Sequence, residues 1–171
     1  MTEPATATPP PSPLEPWPGT VTWRPVSRKL IAVELLRFGF GLGVLFLVVA
    51  IANGFGWPYP GLTFAAVGLY GLLRGIAIVR AVFAWGYAER ERDLLVRHGL
   101  LIRRLSIVPY GRMQFVDVTA GPLERTFGLA TVQLHTAAAA SDARIPGLPP
   151  AEASRLRDRL AALGEDLGEG L

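Results

Sequence analysis

From Phe38 to Leu73 the chain runs for 36 residues without an Asp, Glu, Lys, Arg or His. The run is broken once, at Asn53-Gly54-Phe55-Gly56-Trp57-Pro58-Tyr59-Pro60-Gly61, a string rich in turn formers and helix breakers. This pattern predicts a helical hairpin in a membrane. A span needs about 20 residues at about 1.5 Å each to cross about 30 Å of hydrocarbon. The flanks must therefore be recruited, which places span one at 35–55 and span two at 61–81. Arg37 and Arg74 then fall just inside the ends, where a long side chain still reaches water. Trp57 and Tyr59 mark one interface, Trp85 and Tyr87 the other. Gly39, Gly41, Gly43, Gly68, Gly71 and Gly75 put small residues on helix faces, which predicts close packing of the spans. A re-entrant pair that does not fully cross is the first alternative. A hairpin buried in a soluble protein comes behind it, opposed by the small amount of chain left to cover it.

After Ala84 the period shortens. Asp93 to Arg97 and Leu100 to Val108 read as strands joined by a turn at His98-Gly99, which needs a positive φ. Pro109-Tyr110-Gly111-Arg112 is a further turn. Met113 to Ala120 follows, with Val116 and Val118 on one face and Asp117 and Thr119 on the other. Gly121 to Gly128 reads as a turn of helix or a tight loop. In Ala130 to Thr136, Val132 and Leu134 point inward and Thr131, Gln133 and His135 outward. The last element is helical, because Ala153, Leu156, Leu160 and Leu163 share a face; Pro149-Pro150 opens it and Gly164 closes it. The expected fold class is α+β, a two-helix transmembrane hairpin at 23–84 followed by a small domain at 85–164. The seven prolines of the first 20 residues predict a disordered tail over 1–22 that lacks the pattern of a secretory signal, and 165–171 form a second tail. A domain of some eighty residues has a small core, so docking on the spans, the membrane or other subunits is expected to add stability.

Composition sharpens the membrane reading. Charged residues are 18% of the chain, against roughly 25% in a soluble domain. The net charge of +3 is unevenly spread: −2 over 1–20, +5 over 21–84 and zero from Trp85 onward. A basic collar flanking apolar spans suits anionic headgroups, at about 1 kcal/mol per residue. Nucleic acid needs a basic folded face, which a neutral C-terminal half does not supply. Basic residues precede span one and follow span two, and the connecting loop is uncharged, so both termini are expected in the cytoplasm of a bacterial plasma membrane.

Candidate chemistry is sparse. With no cysteine there is no disulfide, thiolate site or cysteine nucleophile. His98 and His135 are the only imidazoles, too few for a zinc site, and read as a turn residue and an exposed strand residue. Ser141-Asp142 with His135 offers hydrolase parts without a nucleophile elbow. Gly39-Phe40-Gly41-Leu42-Gly43 follows no strand and belongs to helix packing rather than to a dinucleotide loop. No catalytic, cofactor or metal residue is assigned. Arg103, Arg104 and Arg112 form the candidate interaction surface, since arginine binds phosphate and carboxylate bidentately. The preferred reading pairs them with Glu124, Asp117 or backbone carbonyls, or leaves them solvated, with Arg112 and Asp117 as the expected internal pair.

Trp23-Arg24-Pro25 ahead of the hairpin, Ser106 to Val118 and Gly121 to Val132 resemble the bacterial pleckstrin-homology-like membrane proteins of the YdbS-like group. The likeness spans Trp23 to Leu163 and is most specific over Ile107 to Thr136. It implies a pleckstrin-homology (PH)-like split barrel with a C-terminal helix, held at the cytoplasmic face by two spans, without enzyme activity or cofactor. By analogy with larger relatives it also implies a membrane partner carrying related domains, or a homo-oligomer. The phosphoinositide loop of eukaryotic PH domains would fall at Ala88-Glu89-Arg90-Glu91-Arg92-Asp93, where three acids cancel two bases, which argues against that ligand.

The leading expectation is a non-catalytic membrane protein that displays a binding or assembly module for protein partners. The runner-up is a module that reads anionic headgroups through Arg103 and Arg104. A third reading, an accessory subunit of a membrane enzyme or transporter, meets the absence of any ionisable residue at mid-span depth.

Overall fold

A computed structural model describes residues 21–136 and 143–168. Residues 1–20 of the expected 1–22 tail and the Ser141-Asp142 pair lie outside these residues. Element order is β1 (Arg24–Pro25), α1 (Lys29–Gly54), α2 (Pro60–Ala84), β2 (Gly86–Glu89), β3 (Asp93–His98), β4 (Arg104–Pro109), a 3-10 turn (Tyr110–Arg112), β5 (Met113–Thr119), α3 (Pro122–Thr126), β6 (Ala130–Thr136), β7 (Ala143–Leu148) and α4 (Pro150–Gly168). Two antiparallel sheets, β1-β2-β3-β4 and β5-β6-β7, share one core closed by α4. The fold is α+β and PH-like.

The hairpin is the simplest part to derive. Both helices are long and apolar enough to cross a bilayer, and almost none of their most apolar stretch is buried against protein. They pack on each other through Phe38 against Tyr70 and Phe46 against Phe64, each pair with ring centroids 6.1 Å apart. At the turn, Asn53 donates through Nδ2 to the Val49 carbonyl at 2.8 Å and Thr63 to that of Pro60 at 2.9 Å, so both side chains bond back to their own helix. Only part of the expected glycine packing is found. A Cβ at Gly71 would press on Leu42, whereas Gly39, Gly41, Gly43, Gly68 and Gly75 face open space. At these five positions the other helix does not come within contact distance.

α1 begins six residues before the expected span, at Lys29 rather than 35. The reason is packing: Leu30 and Val33 are fully buried in the core of the domain, together with Val26. The strand before the hairpin also belongs there, with Arg24 opposite Tyr87 and Pro25 opposite Gly86. The hairpin is thus an insertion between the first and second strands of one sheet. Gly147 lets β7 approach α1 closely, at φ +71°, where a Cβ would crowd Leu30 at 2.9 Å. Its carbonyl accepts the Ser27 amide at 2.9 Å.

Several strand expectations need correction. The β3–β4 connection spans 99–103 and is longer than a His98-Gly99 turn, although Gly99 does take a positive φ of 103°. Thr131 faces inward, fully buried, because α3 covers that end of β6 and Glu124 accepts its hydroxyl hydrogen at 3.3 Å. β7 escapes the pattern because Pro146 and Gly147 interrupt it. α4 runs through Gly164 to Gly168. Tyr87 does not join an interfacial belt: it is buried in the core and donates to Glu152 at 2.8 Å. Trp85 stacks on His98 at 4.8 Å, between α2 and the sheet.

Candidate juxtamembrane site

Where the hairpin enters the domain, α1, α2 and β7 leave an open cleft of about 410 Å³ lined by Leu30, Glu34, Arg37, Arg74, Val82 and Arg144 among others. Its depth follows from helix geometry. Counted at about 1.5 Å per residue, Arg37 lies about 25 Å from Gly54 and Arg74 about 21 Å from Pro60. For a hydrocarbon core about 30 Å thick, both guanidiniums reach the headgroup level nearest the domain. Arg144 comes down to the same cleft from β7.

The three arginines are not equivalent. Arg37 is already neutralised, with Glu34 at 3.2 Å and Glu124 at 3.7 Å. Glu124 is itself buried, accepts the Gly121 amide at 2.8 Å at the start of α3, and so fixes the first helix to the domain. Arg74 and Arg144 are exposed and have no carboxylate partner among the described residues. Two unpaired guanidiniums that open on one cleft can grip a phosphate or carboxylate with forked hydrogen bonds.

A second cleft of about 410 Å³ flanks the other side of α2 and shares Arg74, Ala77 and Ala81 with loop 99–103, His98 and Arg104. Arg103 and Arg104 are both exposed here, at the membrane end of β4. His98 is held below the usual imidazole range by burial and by the nearby Arg104. Arg112 is placed elsewhere, in the 3-10 turn past the far end of β4, a strand that itself carries the chain about 17 Å away from Arg104. The expected Arg112–Asp117 pair does not form: both are exposed and no ion pair joins them, because they sit on outward faces of successive elements. Glu124 pairs with Arg37 rather than with Arg103, Arg104 or Arg112. The sequence reading missed Arg144, which lies in the concealed strand, and treated Arg37 and Arg74 as snorkelling residues rather than as a site.

Away from the membrane, a network ties the ends of the chain together. Glu89 holds Arg155 at 2.6 Å, Arg159 at 3.2 Å and Arg24 at 3.5 Å, while Glu152 holds Arg155 at 2.7 Å and Arg24 at 3.1 Å. Hydrogen bonding from Arg155, helped by Tyr87, holds the Glu152 carboxyl down to about 2. Burial, followed by the bond to Glu152, pushes the Tyr87 phenol up to about 12. The proposed phosphoinositide loop falls at 90–92, where Arg90 is engaged by Asp93 at 3.6 Å.

An apolar hairpin set into a two-sheet, helix-capped domain defines a membrane-anchored protein of PH-like class. The profile of the bacterial PH domain matches residues 33–164, and the chain belongs to that family. It is also similar to the UPF0699 transmembrane protein YdbS of Bacillus subtilis (strain 168), with 34% identity over 149 residues, covering 85% of this chain and 87% of that protein. No solved structure matches it.

Proposed function

We propose that this chain is a non-catalytic module of the bacterial inner membrane, with both termini in the cytoplasm, whose juxtamembrane cleft binds the phosphate of anionic lipids. One observation carries the reading: Arg74 and Arg144, exposed and unpaired among the described residues, line one open cleft at headgroup depth. Anionic leaflets concentrate cations at such a level, and paired guanidiniums favour a headgroup phosphate that no choline ammonium neutralises. Arg104, on the other side of α2, extends the same collar.

A second observation favours assembly with a protein partner carrying a related domain, or with a second copy. β5 is an edge strand, and the groove between it and α4 is lined by Met113, Phe115, Val116 and Leu160. An edge beside an apolar groove accepts an added strand.

The test is thermal unfolding of the full chain in neutral detergent, titrated with short-chain phosphatidylglycerol or phosphatidylcholine. The expected result is a rise in Tm with the anionic lipid alone, which shrinks with salt and is lost in the Arg74→Gln/Arg144→Gln double variant. Equal shifts with both lipids would overturn the headgroup reading. No shift with either, together with a two-chain particle mass that Phe115→Asp halves, would support the assembly reading instead.

A further inference from the structure

We propose that loop 99–103, between β3 and β4, is a third membrane contact that lays Leu101 and Ile102 into the boundary between headgroups and acyl chains beside α2. Leu101 is 95% exposed and Ile102 71% exposed, and they adjoin Leu100 at the tip of the loop. The position of the tip is given by its neighbours. Leu100, Leu101 and Ile102 line the cleft that also contains Arg74, Ala77 and Ala81 of the second span. Counted from Pro60, Ala77 lies about 25 Å and Ala81 about 31 Å along the helix. The apolar tip therefore stands where a core about 30 Å thick gives way to headgroups.

The local sequence suits that place. Arg103 and Arg104 follow the tip at once, so the apolar residues are backed by cations that can stay in the phosphate layer. Gly99, at φ +103°, closes the loop tightly enough that a Cβ there would run into the Ile102 carbonyl. The loop thus presents its side chains outward instead of folding back on the domain. Elsewhere in the domain, Phe115 stacks on His135 at 4.4 Å and Ile107 is only half-exposed within β4, so the tip of the loop is the barest apolar site among the described residues of the domain. What covers the tip is the bilayer around α2, because the loop continues the lipid-facing surface of that helix. Apolar burial drives this contact, so it does not depend on the arginine cleft or on anionic lipid.

The chain has no cysteine, so a single one can carry a probe. Bimane is attached to Leu101→Cys in the full chain, reconstituted in phosphatidylcholine vesicles. Glu91→Cys, in the connection at the opposite end of β3, is the aqueous reference. The expected result is blue-shifted emission at Leu101→Cys, iodide quenching several-fold slower than at Glu91→Cys, and strong quenching by a nitroxide near the top of the acyl chain. Iodide access equal to that at Glu91→Cys would overturn the proposal. So would protection from iodide without nitroxide quenching, since that result means a protein surface covers the loop.

Discussion

At the scale of single residues, the Glu152 network shows how charge supports this small core. The Glu152 carboxylate accepts from Arg155 and Tyr87, and its pKa is depressed to about 2 from an ordinary value of 4.5. A depressed acid contributes stability that is complete above its unfolded pKa and is lost as pH falls through the folded one. The Tyr87 phenol, raised to about 12, works at the other end: its contribution is complete below about pH 10 and disappears as pH rises toward 12. Glu152→Gln should cost about 2 kcal/mol near neutral pH, the worth of hydrogen bonds to a charged group. It should also flatten the fall in Tm between about pH 5 and about pH 2.5. Parallel acid limbs for variant and parent would show that the depressed pKa contributes nothing to folding. None of this was visible in the sequence, because Tyr87 and Glu152 are 65 residues apart and only the closing of α4 over β2 brings them together. The same blindness explains Thr131: alternation alone sends it outward, and the cover supplied by Glu124 is a tertiary fact.

At the scale of elements, the legible parts were those with a strong period or composition. Both spans, β3, β5, β6 and α4 were recognisable, since uncharged runs, alternation and a helical face each have one main physical cause. The two-residue β1 and the Pro-Gly-broken β7 were not, and these are the strands that bind the hairpin to the domain. Their absence from the reading put the domain's beginning at Trp85, after the hairpin. Yet Val26, Leu30 and Val33 lie in the core, and β1 completes a sheet edge. Removing three buried aliphatic side chains forfeits about 5–8 kcal/mol, comparable with the whole stability of a small domain. The fragment Trp85–Leu171 should therefore lack a cooperative melt and give a poorly dispersed amide spectrum, while the chain with its hairpin intact melts cooperatively. A well-dispersed fragment would show that α1 merely leans on a self-sufficient fold.

At the scale of the whole molecule, the insertion of a membrane hairpin into a sheet has a functional consequence. A domain appended by a linker could turn freely, whereas one whose first strand precedes the spans, and whose core contains the first turns of α1, is held at a fixed height and orientation. Arg74 and Arg144 open on their cleft, and Leu101 and Ile102 face outward, at the level this fixes. The collar's basic residues were countable in the sequence, but their convergence was not, because Arg74 and Arg144 are 70 positions apart and meet only through the docking of β7 on α1. The central claim, that the hairpin crosses the membrane and holds the domain against its inner face, is tested most directly by sidedness. Gly56→Cys and Glu91→Cys single variants are exposed in intact cells to an impermeant maleimide. The account predicts labelling of Gly56→Cys from outside and of Glu91→Cys only after the cells are opened. Labelling of Glu91→Cys in intact cells, or of neither site from outside, would contradict it.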